Sequence, residues 1–194
     1  MAVKVAINGL GRIGRIVLRC CLERKFKDVE IVALNDLIPP KDMAYYVKFD
    51  STHGKAPFEV KADEESLILD GQRIPMFAER DPAALPWKKL GVDIVMECTG
   101  RFTKKPDAMK HVEAGAKHVI ISAPADGVDR TIVLGVNEKD EKPSRPGGPH
   151  SRAPTTPGSP EASTSVNPLS LASTIAPVRK LKVIVSPAGQ ARLT

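Results

Sequence analysis

The densest concentration of chemistry-bearing residues in this 194-residue chain is Asn8-Gly9-Leu10-Gly11-Arg12-Ile13-Gly14-Arg15. Its glycines fall at the spacing G-x-G-x-x-G. In that pattern Gly9 permits a tight turn, Gly11 lets a diphosphate approach the main chain, and Gly14 lets a helix pack closely on a strand. A helix opening there presents unpaired N–H groups and a partial positive charge to an anion. The ligand is then held chiefly by main chain, with Asn8, Gly9, Gly11, Arg12 and Ile13 as the candidate contact positions. An acidic residue follows at Asp36, near the ~20-residue offset at which a carboxylate meets ribose hydroxyls. Its charge repels a 2′-phosphate, which favours NAD over NADP.

Other reactive side chains offer less. The three cysteines are Cys20, Cys21 and Cys98, an odd and small number that gives neither a disulfide framework nor a metal-ligand spacing. They point to a reducing, cytoplasmic setting. Cys98 ends an apolar run and reads as a packed small residue rather than a nucleophile. His53 in S-T-H-G reads as local hydrogen-bonding structure.

The elements that must position the glycine turn alternate between strand and helix patterns. Val3–Ile7 is β-rich, and Arg12–Lys25 carries apolar residues at Ile13, Ile16, Val17, Cys20, Cys21 and Leu22, close to helical spacing. Glu30–Leu34 reads as a strand and Asp42–Phe49 as a helix. Hairpin-like runs follow at Phe58–Lys61, Ser66–Leu69 and Arg73–Phe77, with Asp70-Gly71 as a turn. Pro82–Leu90 reads as a short helix, Asp93–Glu97 as a strand, Ala108–Ala114 as a helix, and His118–Ser122 and Thr131–Leu134 as strands. Strands separated by helices imply an α/β, Rossmann-like, doubly wound and mostly parallel sheet.

Composition divides the chain near Lys142. Through Lys142 there are 23 basic against 22 acidic residues; beyond it, six basic residues face Glu161 alone. Every aromatic residue lies at or before Phe102. Residues 1–142 therefore read as one nucleotide-binding domain, and residues 143–194 as a low-complexity, largely disordered tail. Pro143–Pro160 has too little apolar surface to offset the entropy of ordering it. Leu181–Val185 has strand composition but no local partner. No apolar run approaches the ~20 residues that span a membrane. The basic tail attracts nucleic acid electrostatically, but without aromatics it has no stacking platform, and a solvated tail is the expected reading.

The front segments carry a family resemblance. V-A-I-N-G-L-G-R-I-G-R (Val5–Arg15), N-D-L (Asn35–Leu37), F-D-S-T-H-G-K (Phe49–Lys55), E-R-D-P (Glu79–Pro82), E-C-T-G-R-F (Glu97–Phe102), H-V-I-I-S-A-P (His118–Pro124) and L-G-V-N (Leu134–Asn137) occur together in order. This series resembles the amino-terminal domain of phosphorylating glyceraldehyde-3-phosphate dehydrogenases, over about seven-tenths of the chain. The resemblance implies that Arg12 and Ile13 amides meet the pyrophosphate and Asp36 the adenosine ribose. It places Arg80 beside the adenine, Thr99, Gly100 and Phe102 along the same pocket, and Ser122 toward the nicotinamide.

The resemblance also implies what the chain lacks. In the family, the segment after G-V-N reaches S-C-T-T-N-C, whose first cysteine attacks the aldehyde with help from a histidine. No cysteine follows Cys98 here, and the later histidines are His111, His118 and His150. The expectation is a catalytically incomplete NAD-binding domain, with no catalytic residues assigned and a truncated or frameshifted product ending its family sequence near Asp140. The family's first domain receives its last helix from the carboxyl terminus of the longer chain; here Leu181–Val185 is available to cover part of the groove left open. The alternative is a non-catalytic protein that binds dinucleotide or docks onto full-length homologous subunits.

Overall fold

β-Branched and aliphatic runs that alternate with amphipathic stretches give a layered molecule. The computed structural model describes residues 2–132 and the backbone of Lys182–Val185. In chain order the first elements are β1 (Val3–Asn8), α1 (Arg12–Arg24), β2 (Val29–Asn35) and α2 (Pro40–Lys48). A small hairpin, β3 (Phe49–Asp50) and β4 (Gly54–Lys55), leads to β5 (Val60–Ala62), β6 (Ser66–Leu69) and β7 (Gln72–Phe77). Then come α3 (Trp87–Leu90), β8 (Ile94–Glu97), α4 (Lys105–Glu113), β9 (His118–Ile121), β10 (Arg130–Ile132) and β11 (Lys182–Val185).

The main sheet runs β10-β11-β9-β8-β1-β2-β7-β6-β5. Its centre, from β9 through β8, β1 and β2 to β7, is parallel. Antiparallel strands flank it on both sides. Chain order reverses between β1 and β8, because β1 continues outward to β2 while β8 returns to its other side. Such a switch point opens a crevice beyond the strands' carboxyl ends. The register aligns those ends in one row: Phe77 beside Asn35, Asn35 beside Asn8, Asn8 beside Glu97, and Glu97 beside Ile121.

Strand alternation sends side chains to two cores. Val5, Ile7, Ile94 and Met96 face α1 and α2, joining Val17, Leu18, Met43 and Val47. Ala6, Ala33, Val95 and Val119 face the other side, where Trp87, Leu85 and Ala108 close the layer. The small alanines on that face leave room for the buried indole.

Several boundaries differ from the sequence reading. The expected helix over Pro82–Leu90 is broken into a 3-10 turn, Pro82–Ala84, and α3, because Leu85, which precedes Pro86, is driven to an extended backbone with ψ 140°. α2 and α4 each start earlier than expected, with a proline in the first turn where no N–H is needed. Val133 and Leu134 of the expected last strand, and the proline-rich stretch Pro143–Pro160, lie outside the described residues. Lys182–Val185 is a strand, as its composition implies, and it has partners after all. It pairs antiparallel with β9 through Val183–Ile121 and with β10 through Thr131–Val183. Those partners lie far back in the chain, beyond the reach of a local pattern.

Lys25 ends α1 in the left-handed region at φ 48°, a conformation that costs an L-residue about 1–2 kcal/mol. Glycine relieves that strain but adds entropy to the unfolded chain. Lys25→Gly is therefore expected to raise the denaturant midpoint by about 0.5–1 kcal/mol of stability, read by urea unfolding. An unchanged or lower midpoint contradicts this.

Candidate nucleotide-binding site

The glycine turn sits at the switch point, and its geometry explains each glycine. Gly9 adopts φ +89°, and an added Cβ would stand 2.7 Å from Thr99 N and from Thr99 Cγ2. Gly14 is tighter: a Cβ there would lie 1.9 Å from the Gly9 carbonyl oxygen. Gly11 differs, since nothing lies within 4 Å of its Cβ position. Two glycines let the chain pack on itself; the third leaves its outer side open.

α1 starts above this turn without a side-chain cap and without an acidic residue in its first turn. Its first intrahelical bond is from Arg15 N–H to the Gly11 carbonyl, at 3.1 Å. The amides of Arg12 and Ile13 precede it, so they belong to the group a helix cannot satisfy internally. Two arginines near a helix's positive end are unfavourable unless an anion shares the site. Arg12 is exposed. Arg15 is turned back, donating to the Leu10 carbonyl at 3.0 Å and lying 5.6 Å over the Tyr46 ring.

Asp36 joins the turn from the end of β2. Its Oδ2 accepts from Leu10 N–H at 2.6 Å and its Oδ1 from Ile38 N–H at 3.1 Å. A carboxylate offers about four acceptor positions, so two remain for hydroxyl groups. Arg80 is exposed on the loop after β7. That loop is fixed by Glu79, whose N–H donates to Asn35 Oδ1 at 2.9 Å and whose carbonyl accepts from Asn35 Nδ2 at 2.9 Å.

On the β8 side, Thr99 packs against Gly9, Gly100 adopts φ +72°, and Phe102 meets the His111 ring edge-on at 6.3 Å. Ser122 follows β9 and donates its N–H to the Glu97 carbonyl at 2.9 Å. All the candidate positions thus gather at one end of the sheet. The Asn8 side chain points away from the open side of the turn. It is buried, donating to Glu97 Oε2 at 2.5 Å and accepting from Asn35 Nδ2 at 2.7 Å. It supports the turn from beneath.

Sequence reasoning missed the residues of that support: Asn35, Glu97, His111 and Trp87, all buried. For Asn35 and Glu97 the signal was faint, a polar residue at the end of a largely apolar strand; His111 and Trp87, on α4 and α3, carried none. The cysteines behave as expected. Burial pushes the Cys98 and Cys21 thiols up to about 12 and raises that of Cys20. His53 is likewise local: its N–H and that of Thr52 hold Asp50 well below the usual carboxylate range, with the His53 ring 3.1 Å away. Among the described residues no His, Cys, Asp and Glu cluster is placed to hold a metal ion, and no helix is long and apolar enough to cross a membrane.

A doubly wound sheet, an uncapped helix over a glycine turn at the switch point, and a carboxylate at the next strand's end define a dinucleotide-binding domain. Residues 3–105 match the family described as glyceraldehyde 3-phosphate dehydrogenase, NAD binding domain, and the chain belongs to that family. It is 55% identical over 140 residues to glyceraldehyde-3-phosphate dehydrogenase of Thermotoga maritima, covering 72% of this chain and 42% of that protein. It is 56% identical over 138 residues to glyceraldehyde-3-phosphate dehydrogenase 1 of Bacillus subtilis, covering 71% and 41%. The Geobacillus stearothermophilus enzyme is 54% identical over 143 residues, covering 74% and 42%. The chain spans about two-fifths of the length of these curated relatives.

The Gly14 contact is the tightest in the site. Gly14→Ala is expected to destabilise the fold by about 1–3 kcal/mol, since backbone atoms must move to admit the methyl group. Thermal unfolding reads this directly, and a melting midpoint equal to the parent's contradicts the packing argument.

Proposed function

We propose that this chain holds NAD at the Gly9–Gly14 turn and does not by itself carry out the oxidation suggested by its relatives' names. In this reading the Arg12 and Ile13 amides hold the pyrophosphate and Asp36 accepts from the adenosine ribose hydroxyls. Arg80, Thr99, Gly100 and Phe102 flank the adenine half, and Ser122 lies toward the nicotinamide. NAD supplies a hydride acceptor when bound; the chain's part is to bind and orient it. The observation that carries the reading is the uncapped start of α1 above the open face of Gly11, beside a carboxylate with acceptor positions to spare. The three buried, protonated thiols support the inactive half of the reading, because aldehyde oxidation through a thiohemiacetal needs a thiolate. They also suit a reducing, cytoplasmic setting.

A second reading, docking onto full-length homologous subunits, is favoured by one surface. Tyr45, Tyr46 and Phe49 on and after α2 pack ring against ring while staying 64%, 44% and 43% exposed. Leu37 and Ile38, just before α2, are exposed as well. Co-migration with a full-length relative, lost when Tyr45 and Phe49 are replaced by Ser, is the expected result of that reading.

Calorimetric titration with NAD tests the first reading. Gly11→Ala is expected to melt like the parent, since its methyl meets no protein atom, yet to weaken NAD about tenfold or more by closing the phosphate approach. Asp36→Ala is expected to lose NAD affinity together with about 1–2 kcal/mol of stability, because it also strips acceptors from Leu10 and Ile38. No binding at millimolar NAD, or binding indifferent to Gly11→Ala, removes the assignment. Incubation with NAD, phosphate and glyceraldehyde 3-phosphate is expected to produce no NADH; turnover by the purified chain overturns the inactive half.

A further inference from the structure

Among the described residues, the buried polar row at the strand ends holds a carboxylate with no part in the cofactor contacts above. Glu97 ends β8 and is 1% exposed. Its Oε2 receives Asn8 Nδ2 at 2.5 Å and faces His111 Nε2 at 3.0 Å. Its Oε1 receives the Thr99 N–H at 2.8 Å and the Thr99 hydroxyl.

The direction of each bond is forced from the outside inward. The Trp87 indole can only donate, and it lies 3.0 Å from His111 Nδ1. Nδ1 is therefore the acceptor, and the ring hydrogen sits on Nε2, aimed at Glu97. From the other end, the Glu79 N–H and carbonyl fix both the oxygen and the nitrogen of the Asn35 amide. Asn35 Nδ2 then donates to Asn8 Oδ1, which leaves Asn8 Nδ2 facing Glu97. The hydrogens shared between these side chains, from Asn35 to Asn8 and from Asn8 and His111 onward, run toward a single carboxylate.

We infer that Glu97 is a positioning residue for the dinucleotide crevice, its buried carboxylate clamping together the two chain segments that meet at Gly9. The inference rests on the NAD reading above. Asn8 is the residue before Gly9, and Thr99 is the residue packed against it. Asn8 O also accepts the Cys98 N–H at 2.7 Å, and Gly9 N–H reaches the Asn35 carbonyl at 2.8 Å. Glu97 thus fixes the separation of β1 and β8 at their carboxyl ends. The Gly9 carbonyl in turn seats Gly14, so the placement of the first turn of α1 depends on the same clamp.

A neutral isostere cannot reproduce the arrangement. If a glutamine in place of Glu97 points its NH2 toward Thr99, the Thr99 N–H faces another donor. If the NH2 points toward Asn8, the Asn8 amide must flip, which sets its nitrogen against that of Asn35. Asn35 cannot follow, because Glu79 offers one donor and one acceptor in fixed places. Moving the carboxylate to position 8 removes the conflict. In N8D/E97Q, the position-8 carboxylate accepts from Asn35, from the introduced glutamine's NH2, and from His111 Nε2, which lies 3.3 Å from Asn8 Nδ2 in the parent. The glutamine carbonyl then takes both hydrogens of Thr99.

The test is NAD titration of the full chain as wild type, E97Q and N8D/E97Q, with a thermal melt of each to locate its folded range. E97Q is expected to weaken NAD by about tenfold or more where it is still folded, the effect of one buried donor left unmatched. The double variant is expected to return to within about fivefold of wild type. A merely structural role lowers the melting midpoint but leaves the Kd of the folded protein unmoved. Wild-type affinity in E97Q, or a double variant binding no more tightly than E97Q, overturns the inference. Should E97Q fail to fold, the double variant decides alone: affinity within about fivefold of wild type supports the clamp, and weaker binding or no fold overturns it. A wild-type chain that binds no NAD overturns the parent reading as well, which separates the two failures.

Discussion

Gly14 and the Gly9 carbonyl come so close that no side chain fits between them, and the rest of the site follows from that contact. A helix can start directly above the end of β1 only if its first turn rests on the turn's own backbone. Gly14 allows the approach, and Gly9, at a positive φ, bends the chain so that its carbonyl lies underneath. The helix's unpaired amides then open over the gap between β1 and β8, where the reversal of strand order leaves a crevice. The site is an outcome of backbone proximity, with side chains arranged around it.

Those side chains solve a second problem, which is to hold five strand ends in one row without exposing them to water. Each strand ends beside its neighbour, and the inner three ends are polar: Asn35, Asn8 and Glu97. A buried carboxylate is costly unless its oxygens are matched. Glu97 has donors on both, supplied by Asn8, Thr99 and His111. His111 is oriented in turn by Trp87, on the opposite face of the sheet from α1. The network therefore ties the α3 and α4 layer to the strand ends where ligand would enter.

The division between what holds the turn and what meets the ligand also accounts for Asn8 and Asp36. Asn8 has the position of a ligand contact in the motif but is fully engaged below the turn. Asp36 braces Leu10 and Ile38 with part of its acceptor capacity, and in the proposed reading the rest serves the ribose. Substitutions there mix stability with affinity, whereas Gly11 is free of any packing role and isolates the ligand.

The order of strands and helices, the phosphate turn and the acid at the end of the second strand were legible in the sequence, because each depends on neighbours a few residues away. Period-two and helical patterns, glycine spacing and a polar residue after an apolar run are all local records of burial and backbone freedom. Even the local reading faltered where a proline decided, as at Pro86, which splits one expected helix into two short pieces. Only the tertiary structure decided how Asn8 meets Glu97 across 89 positions of sequence and His111 across 103. It also decided where Lys182–Val185 pairs, and which polar residues join the buried row. The physical reason is that hydrogen-bond matching in a buried row is set by sheet register and layer packing, and neither leaves a periodic mark on the chain.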